Sequence, residues 1–301
     1  MAMDRPVRVA VVGEGPVARR YASAVATVAD VQLVELAKAQ ALVVAESAAL
    51  PEPAATGLPL LFDPDALVSL GATPESRAAL RALPMPALAA LPWRSAPVVR
   101  LARRLLAAPK FVHAHITTQG VDSLPAAGFH TLDILTHLMG RSPNRVYAES
   151  GPGTSSDPAA PSTVAGTLEF GPHGSAAFAV SRLDGPADSL SAVVQLTDGR
   201  RTAMLSGGFT TAALAGFNDA EIATADTAHA FRAVGNSQVV TVDWRPADGV
   251  ADSVRDLVQT VRTGQAPPEA PNLSGALRTA ALVRAALATA GSGRPRQLVV
   301  R

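Results

Sequence analysis

Residues 7–12, Val-Arg-Val-Ala-Val-Val, lead into Gly13-Glu14-Gly15-Pro16-Val17-Ala18 and then a helix-compatible run to Ala26. A β-branched strand ending at a glycine turn that opens a helix constrains this chain more than any other segment. The first turn of a helix has unpaired backbone N–H groups, and a strand feeding into it aims them at a dinucleotide pyrophosphate. Gly13 would permit the tight turn, Gly15 would let the backbone approach the phosphate, and small Ala18 would let helix and strand pack closely. The spacing alone is shared with ordinary strand–turn–helix segments. Its context, strand before and helix after, favours the dinucleotide reading.

A chain of 301 residues suggests one to two domains and a sizeable core. The formal net charge of +1 gives no long-range attraction to nucleic acid or to an anionic membrane. With no cysteine, disulfides and thiolate–metal chemistry are excluded. Apolar runs break at Arg, Pro or Gly well short of the roughly 18 residues of a membrane span. The first residues enter the opening strand directly, without the pattern of a signal peptide. A cytoplasmic protein acting on a small molecule is expected, with neither nucleic acid nor membrane as partner.

Apolar runs at 31–36, 41–45 and 58–62 predict three further strands, and Thr73-Pro74-Glu75 has the residues of a helix start. Only residues 37–40 separate the second and third strands, too few for a parallel crossover, so a whole βαβ unit is missing. Residues 96–107 predict another helix. From 110 onward the texture changes: 111–118, 163–170, 175–182, 191–197, 201–206, 228–234 and 238–243 read as strands. Short turns such as Asp198-Gly199 make them antiparallel. A Gly/Pro/Ser-rich loop covers 151–161, helices follow at 250–263 and 273–290, and 297–300 reads as a last short strand. The fold class is α/β plus α+β. An abbreviated Rossmann-like domain spans 1–95, with helix 273–290 packing back on it, and an α+β domain with a large, mostly antiparallel sheet spans 96–301.

Several local motifs run nearly end to end: the glycine turn, Arg94-Ser95-Ala96-Pro97, and Gly128-Phe129-His130-Thr131-Leu132-Asp133 with its helix to Leu138-Met139-Gly140. A C-terminal series follows, Asp256-Leu257-Val258 through Gly264, Pro267, Gly275 and Gly293-Arg294-Pro295. In plan and motifs the chain resembles the Gfo/Idh/MocA oxidoreductase family. Leu91-Pro92, the run 105–109 and Phe111-Val112 are similar to the thiazolinyl imine reductase branch, which serves specialised metabolism. The resemblance implies a nicotinamide cofactor, a catalytic lysine after a strand, and an Asp and a His four residues apart. At the matching positions this chain has Asp63, Ala126 and His130, so two of the three groups are replaced and the site is degenerate. A carboxylate at Asp63 would oppose a developing alkoxide. The family's ribose-binding acid is matched by Lys38, which would pair with the 2′-phosphate of NADP or stand as a solvated lysine. The family's open sheet implies a homo-oligomer.

His130 is the leading candidate for catalysis, because a neutral imidazole exchanges protons near pH 7. It can equally be a helix-start cap. Asp133 and His137 lie one turn apart on the same helix and read as a structural pair. His113, His115, Thr117 and Gln119 alternate along one strand, so they share one sheet face. That face suits a polar pocket supplying His113 and His115 to catalysis and Gln119 to substrate, or a wet contact surface. No third ligand at suitable spacing supports a metal. Arg94 would hold a substrate carboxylate or form a salt bridge. Ser206-Gly207-Gly208 is a turn, and no Ser–His–Asp arrangement is evident.

Two functions follow. One is an NADP- or NAD-dependent reductase of a small imine or ketone, with His130 as proton donor. The other is a cofactor-free descendant that performs a cyclisation, elimination or isomerisation, or that serves as a binding partner.

Overall fold

The computed structural model describes residues 5–46, 56–70, 73–119, 124–151, 162–183, 190–225, 229–292, 294 and 296–298. The chain divides into two compact units, Met1–Pro92 with Ala247–Ala281, and Trp93–Pro246 with Leu282–Arg301.

The first unit is built on a parallel sheet of strands β1 (Val7–Val12), β2 (Val31–Leu33), β3 (Ala41–Val44), β4 (Leu60–Phe62) and β5 (Ala87–Ala89). Their spatial order is β2-β1-β3-β4-β5. Alternation along β1 sends Val7 and Val9 into a core with Tyr21 and Val25 of helix Gly15–Thr27 and with Val250, Val254 and Leu257 of helix Pro246–Thr263. Residues 247–263 of that second helix thus cluster with this unit although they follow the second sheet in the chain.

Strand β2 ends at Leu33 rather than running to residue 36, and β3 pairs with the other side of β1. The link 34–40 therefore passes from one flank of β1 to the other, with a single 3-10 turn at Leu36–Lys38 and no helix. Val34 N–H donates to Val9 O at 3.0 Å and Gln40 N–H to Arg8 O at 2.7 Å, so the link is stitched to β1 as it crosses. So short a link suffices because β2 is itself only three residues long. Among the described residues the sheet carries no strand beyond β2.

Among the described residues the second unit carries ten strands: β6 (Phe111–Gln119), β7 (Arg145–Ser150), β8 (Thr163–Glu169), β9 (Ser175–Leu183), β10 (Leu190–Thr197), β11 (Thr202–Ser206), β12 (Thr211–Ala215), β13 (Phe231–Val234), β14 (Ser237–Thr241) and β15 (Arg296–Gln297). Pairing is antiparallel except between β6 and β9, which run parallel at the centre. Helix Leu124–Met139 lies in the long connection between those two strands and packs on both, which is what a parallel pair requires. It covers the face bearing Val112, Ala114 and Ile116, all buried. The opposite face of β6 is exposed at Phe111, His113 and His115.

Gly249 fixes how helix Pro246–Thr263 docks in the first unit, since a Cβ there would stand 2.4 Å from Pro92 O. Gly249→Ala is expected to destabilise the fold by about 1–3 kcal/mol through forced backbone movement, read by urea denaturation. A variant as stable as the parent would show that the helix is not seated this closely.

Candidate functional site

The structure places candidate chemistry in each unit, and the two centres are described separately.

In the first unit the strand order changes direction at β1: the connection from β1 leads to β2 on one side and onward to β3 on the other, all parallel. Ligands of open α/β sheets bind outside the carboxyl ends of strands at such a switch point. The glycine turn occupies this place. Gly13 has φ 122° and Gly15 φ 79°, values that side-chain-bearing residues rarely adopt. A Cβ on Gly13 would meet Glu46 Cβ at 3.0 Å, whereas one on Gly15 would meet nothing within 4 Å. Ala18 is buried against the core, in keeping with close helix–strand packing. Helix Gly15–Thr27 starts from Glu14 with no side-chain cap and no acidic residue in its first turn. Its leading N–H groups are thus left to an anion. One group contests the place: Glu46 Oε2 accepts from Glu14 N–H at 3.4 Å. Glu46 is exposed and can swing into solvent. The backbone fits a pyrophosphate, and the two glutamates weaken its hold.

Lys38 lies in the link after β2 and pairs with Glu35 at 3.5 Å, both side chains largely exposed. Such a pair contributes little to stability and leaves Lys38 available to a phosphate.

Asp63, where the resemblance places a lysine, follows β4 and is buried at 2 % exposure. Its Oδ1 accepts from Asp65 N–H at 2.8 Å and its carbonyl from Leu67 N–H at 3.1 Å. These bonds make it the N-cap of helix Pro64–Leu70, with Pro64 in the first helical position. Oδ2 accepts from Tyr21 Oη at 2.9 Å, and Arg20 stands 3.5 Å away. Burial pushes the Asp63 carboxyl up to about 6, against the opposing pull of Arg20.

In the second unit His130 sits on helix Leu124–Met139, 5 % exposed. The indole of Trp93 lies over it, ring centroids 4.7 Å apart and tilted by 31°. Phe209 continues the wall at 5.7 Å from Trp93, and Trp244 follows at 6.3 Å from Phe209. Phe209 is delivered by the β11–β12 turn through three successive left-handed residues, Gly207, Gly208 and Phe209 itself at φ 71°. For a phenylalanine that backbone costs about 1–3 kcal/mol and persists only where packing enforces it. Trp244 Nε1–H is buried and has no hydrogen-bond partner among the described residues.

One helical turn from His130, Asp133 receives Arg94 Nε at 2.7 Å and a second guanidinium nitrogen at 2.5 Å. This bidentate pair keeps Arg94 charged despite burial, and turns two of its donor nitrogens toward Asp133 rather than a substrate. Burial, with Arg94 next in importance, drives His137 down to about 4, so it is neutral at physiological pH.

His113 and His115 do not join His130. They stand on the exposed face of β6, opposite the face its helix covers, level with Gln195 and Val193 of β10. Thr117 shares their face; the side chain of Gln119 lies outside the described residues. No local pattern points to the series His130, Trp93, Phe209 and Trp244, because the last three come from three distant segments. Among the described residues no group of three His, Asp or Glu could hold a metal ion.

With this geometry in hand, solved structures of similar fold can be set beside it. An oxidoreductase from Agrobacterium radiobacter, in complex with NAD+, L-tartaric acid and magnesium, superposes with a TM-score of 0.73 at 14% identity, covering 97% of this chain and 98% of that one. The two-sheet fold that this oxidoreductase shares with the chain is the one that the sequence resemblance implies. UDP-N-acetylglucosamine 3-dehydrogenase GnnA from Acidithiobacillus ferrooxidans gives 0.72 at 14% identity, over 95% of this chain and 98% of its own. GenD2 from gentamicin A biosynthesis, in complex with NAD, gives 0.71 at 15% identity, over 100% and 98%. No protein-family model and no curated protein sequence matches the chain.

The raised carboxyl of Asp63 has a thermodynamic consequence. Its folded pKa of about 6 exceeds the model-compound 3.8, so the folded state holds the proton more tightly. Folding stability should therefore fall as pH rises from about 4 to about 6, by up to about 3 kcal/mol. Asp63→Asn keeps the cap oxygen and should abolish that part of the dependence in urea titrations at pH 4.5 and 7.5. An unchanged pH profile in the variant would show that Asp63 is ionised at no such cost.

Proposed function

We propose that the chain is an NAD(P)H-dependent oxidoreductase of a small organic substrate, an imine or a ketone. The observation that carries this reading is the uncapped start of helix Gly15–Thr27 at the switch point of the parallel sheet. The fold likeness to nicotinamide-bound oxidoreductases supports it. Gly13, Gly15 and Ala18 would hold the pyrophosphate, and Lys38 would meet a 2′-phosphate where the cofactor is NADP. When bound, the cofactor supplies a hydride to the electrophilic carbon. His130 would give the proton to the nitrogen or oxygen that takes up the electron pair, its imidazole oriented by Trp93. Trp93 packs on His130 and is backed by Phe209 and Trp244, which fixes its ring, and Trp244 Nε1–H has no partner among the described residues. Nothing about specialised metabolism is needed for this chemistry.

A second reading is favoured by Asp63. Its carboxylate is committed to a helix cap and to Tyr21, and a cationic donor at that position is missing. A cofactor-free enzyme, or a binding partner, using His130 for acid–base work needs no such donor. Thermal denaturation with NADH and NADPH separates the two. A ligand at 100 times its Kd adds about 2.7 kcal/mol, a rise of several degrees. Glu46→Gln should strengthen the effect by removing the carboxylate from Glu14 N–H. No rise with either nucleotide at millimolar concentration, in parent or variant, would leave the cofactor-free reading.

The exposed sheet face supports a partner as well. Phe111, Val193, Met204 and Leu183 are 39–45 % exposed there, interleaved with His113 and His115. We assign this face to self-association. Sedimentation equilibrium should find a homo-oligomer that Val193→Glu dissociates; a monomeric parent at micromolar concentration would remove the assignment. Among the described residues no helix is long and apolar enough to cross a membrane.

A further inference from the structure

Within the first unit, a recess of about 550 Å³ opens at the end of the sheet where β1 begins. Arg5, Arg8, Gln32, Gln40, Val261 and Arg262 line it. Its size falls in the range of small-molecule sites. The sheet register accounts for one side of the lining, and the end of the sheet opens it to the helix on the other face. Arg8 and Gln32 are directly paired across β1 and β2, so their side chains emerge together on one face. Gln40 ends the short link 34–40, and its Oε1 accepts from Arg8 N–H at 3.1 Å, which leaves its amide nitrogen as a donor. Arg262 comes from the last turn of helix Pro246–Thr263, and Val261 beside it supplies an apolar wall.

The charge balance is one-sided. Three arginines line the recess, no carboxylate among the described residues does, and the ion pair at its rim is Arg262 with Asp30 at 3.8 Å. Two cations remain after Asp30 is counted. Guanidiniums match the oxygens of a phosphate in geometry as well as charge, and the two glutamines add neutral donors. A monocarboxylate would answer only half of the excess. The recess is also distinct from the glycine turn. Arg8 precedes Gly13 by five residues of strand, about 17 Å along the sheet, so one phosphate cannot serve both.

We propose that this recess binds the phosphate group of a small phosphorylated metabolite, at a site separate from the dinucleotide turn. The inference stands whether or not a nicotinamide binds. It is tested by calorimetric titration of the full chain with inorganic pyrophosphate and with ribose 5-phosphate at fixed ionic strength. Saturable binding of at least one is expected, weakened about tenfold or more in the double variant Arg8→Gln/Arg262→Gln. The double variant Lys110→Gln/Arg232→Gln removes the same charge from the second unit and should bind as the parent does. Circular dichroism melting of both variants checks that they fold. No saturable binding of either probe at 10 mM or below, or equal weakening in both double variants, would overturn the proposal. So would binding that the Arg8/Arg262 variant leaves intact, because the ligand would then sit at the glycine turn.

Discussion

The short link between β2 and β3 is the constraint on which the first unit depends. Residues 34–40 have no room for a crossover helix, so the chain steps over β1 with two backbone hydrogen bonds and resumes on its far side. This puts β1 between β2 and β3 and creates the switch point at Gly13. The same economy leaves Arg8 and Gln32 exposed on the sheet where a longer connection would have laid a helix. One shortened loop thus shapes both ends of the strand, a backbone anion cradle at its exit and a cluster of cations at its entrance.

Asp63 shows how a helix start competes with chemistry for a residue. An aspartate at this position satisfies Asp65 N–H, starts Pro64–Leu70 and orders Tyr21. A lysine could do none of these through the same atoms, since it has no acceptor. The substitution is therefore a coherent structural solution, and its cost is a buried carboxyl that resists ionisation. Arg94 and Asp133 are settled in a similar way: each satisfies the other, and His137 beside them is held neutral.

Much of the architecture was legible because period and punctuation agree. Thr73-Pro74-Glu75 reads as a helix start, and Thr73 Oγ1 does accept from Ser76 N–H at 3.1 Å. Asp63-Pro64-Asp65 carries the same signal for the short helix Pro64–Leu70, but seven residues behind an apolar run give it little periodicity of its own. Strands β5 and β12 are rich in alanine, which has weak β propensity, and only their neighbours make them strands. The parallel pairing of β6 with β9 was hidden by hairpin-like turns on either side. At the candidate site, alternation correctly gives His113 and His115 one face but cannot say which face is covered. The aromatic wall at His130 lay beyond any local pattern, since Trp93, Phe209 and Trp244 meet only in the folded chain.

The turn that carries Phe209 has a further implication. Because the ring is placed by a backbone wound left-handed over three residues, its position depends on the length of the β11–β12 connection. One inserted residue would shift β12 by a register step and turn its inward side chains outward. The packing behind Trp93 and His130 is thus encoded in a hairpin length, and a longer or shorter turn would set a different side chain against Trp93 on an otherwise unaltered sheet.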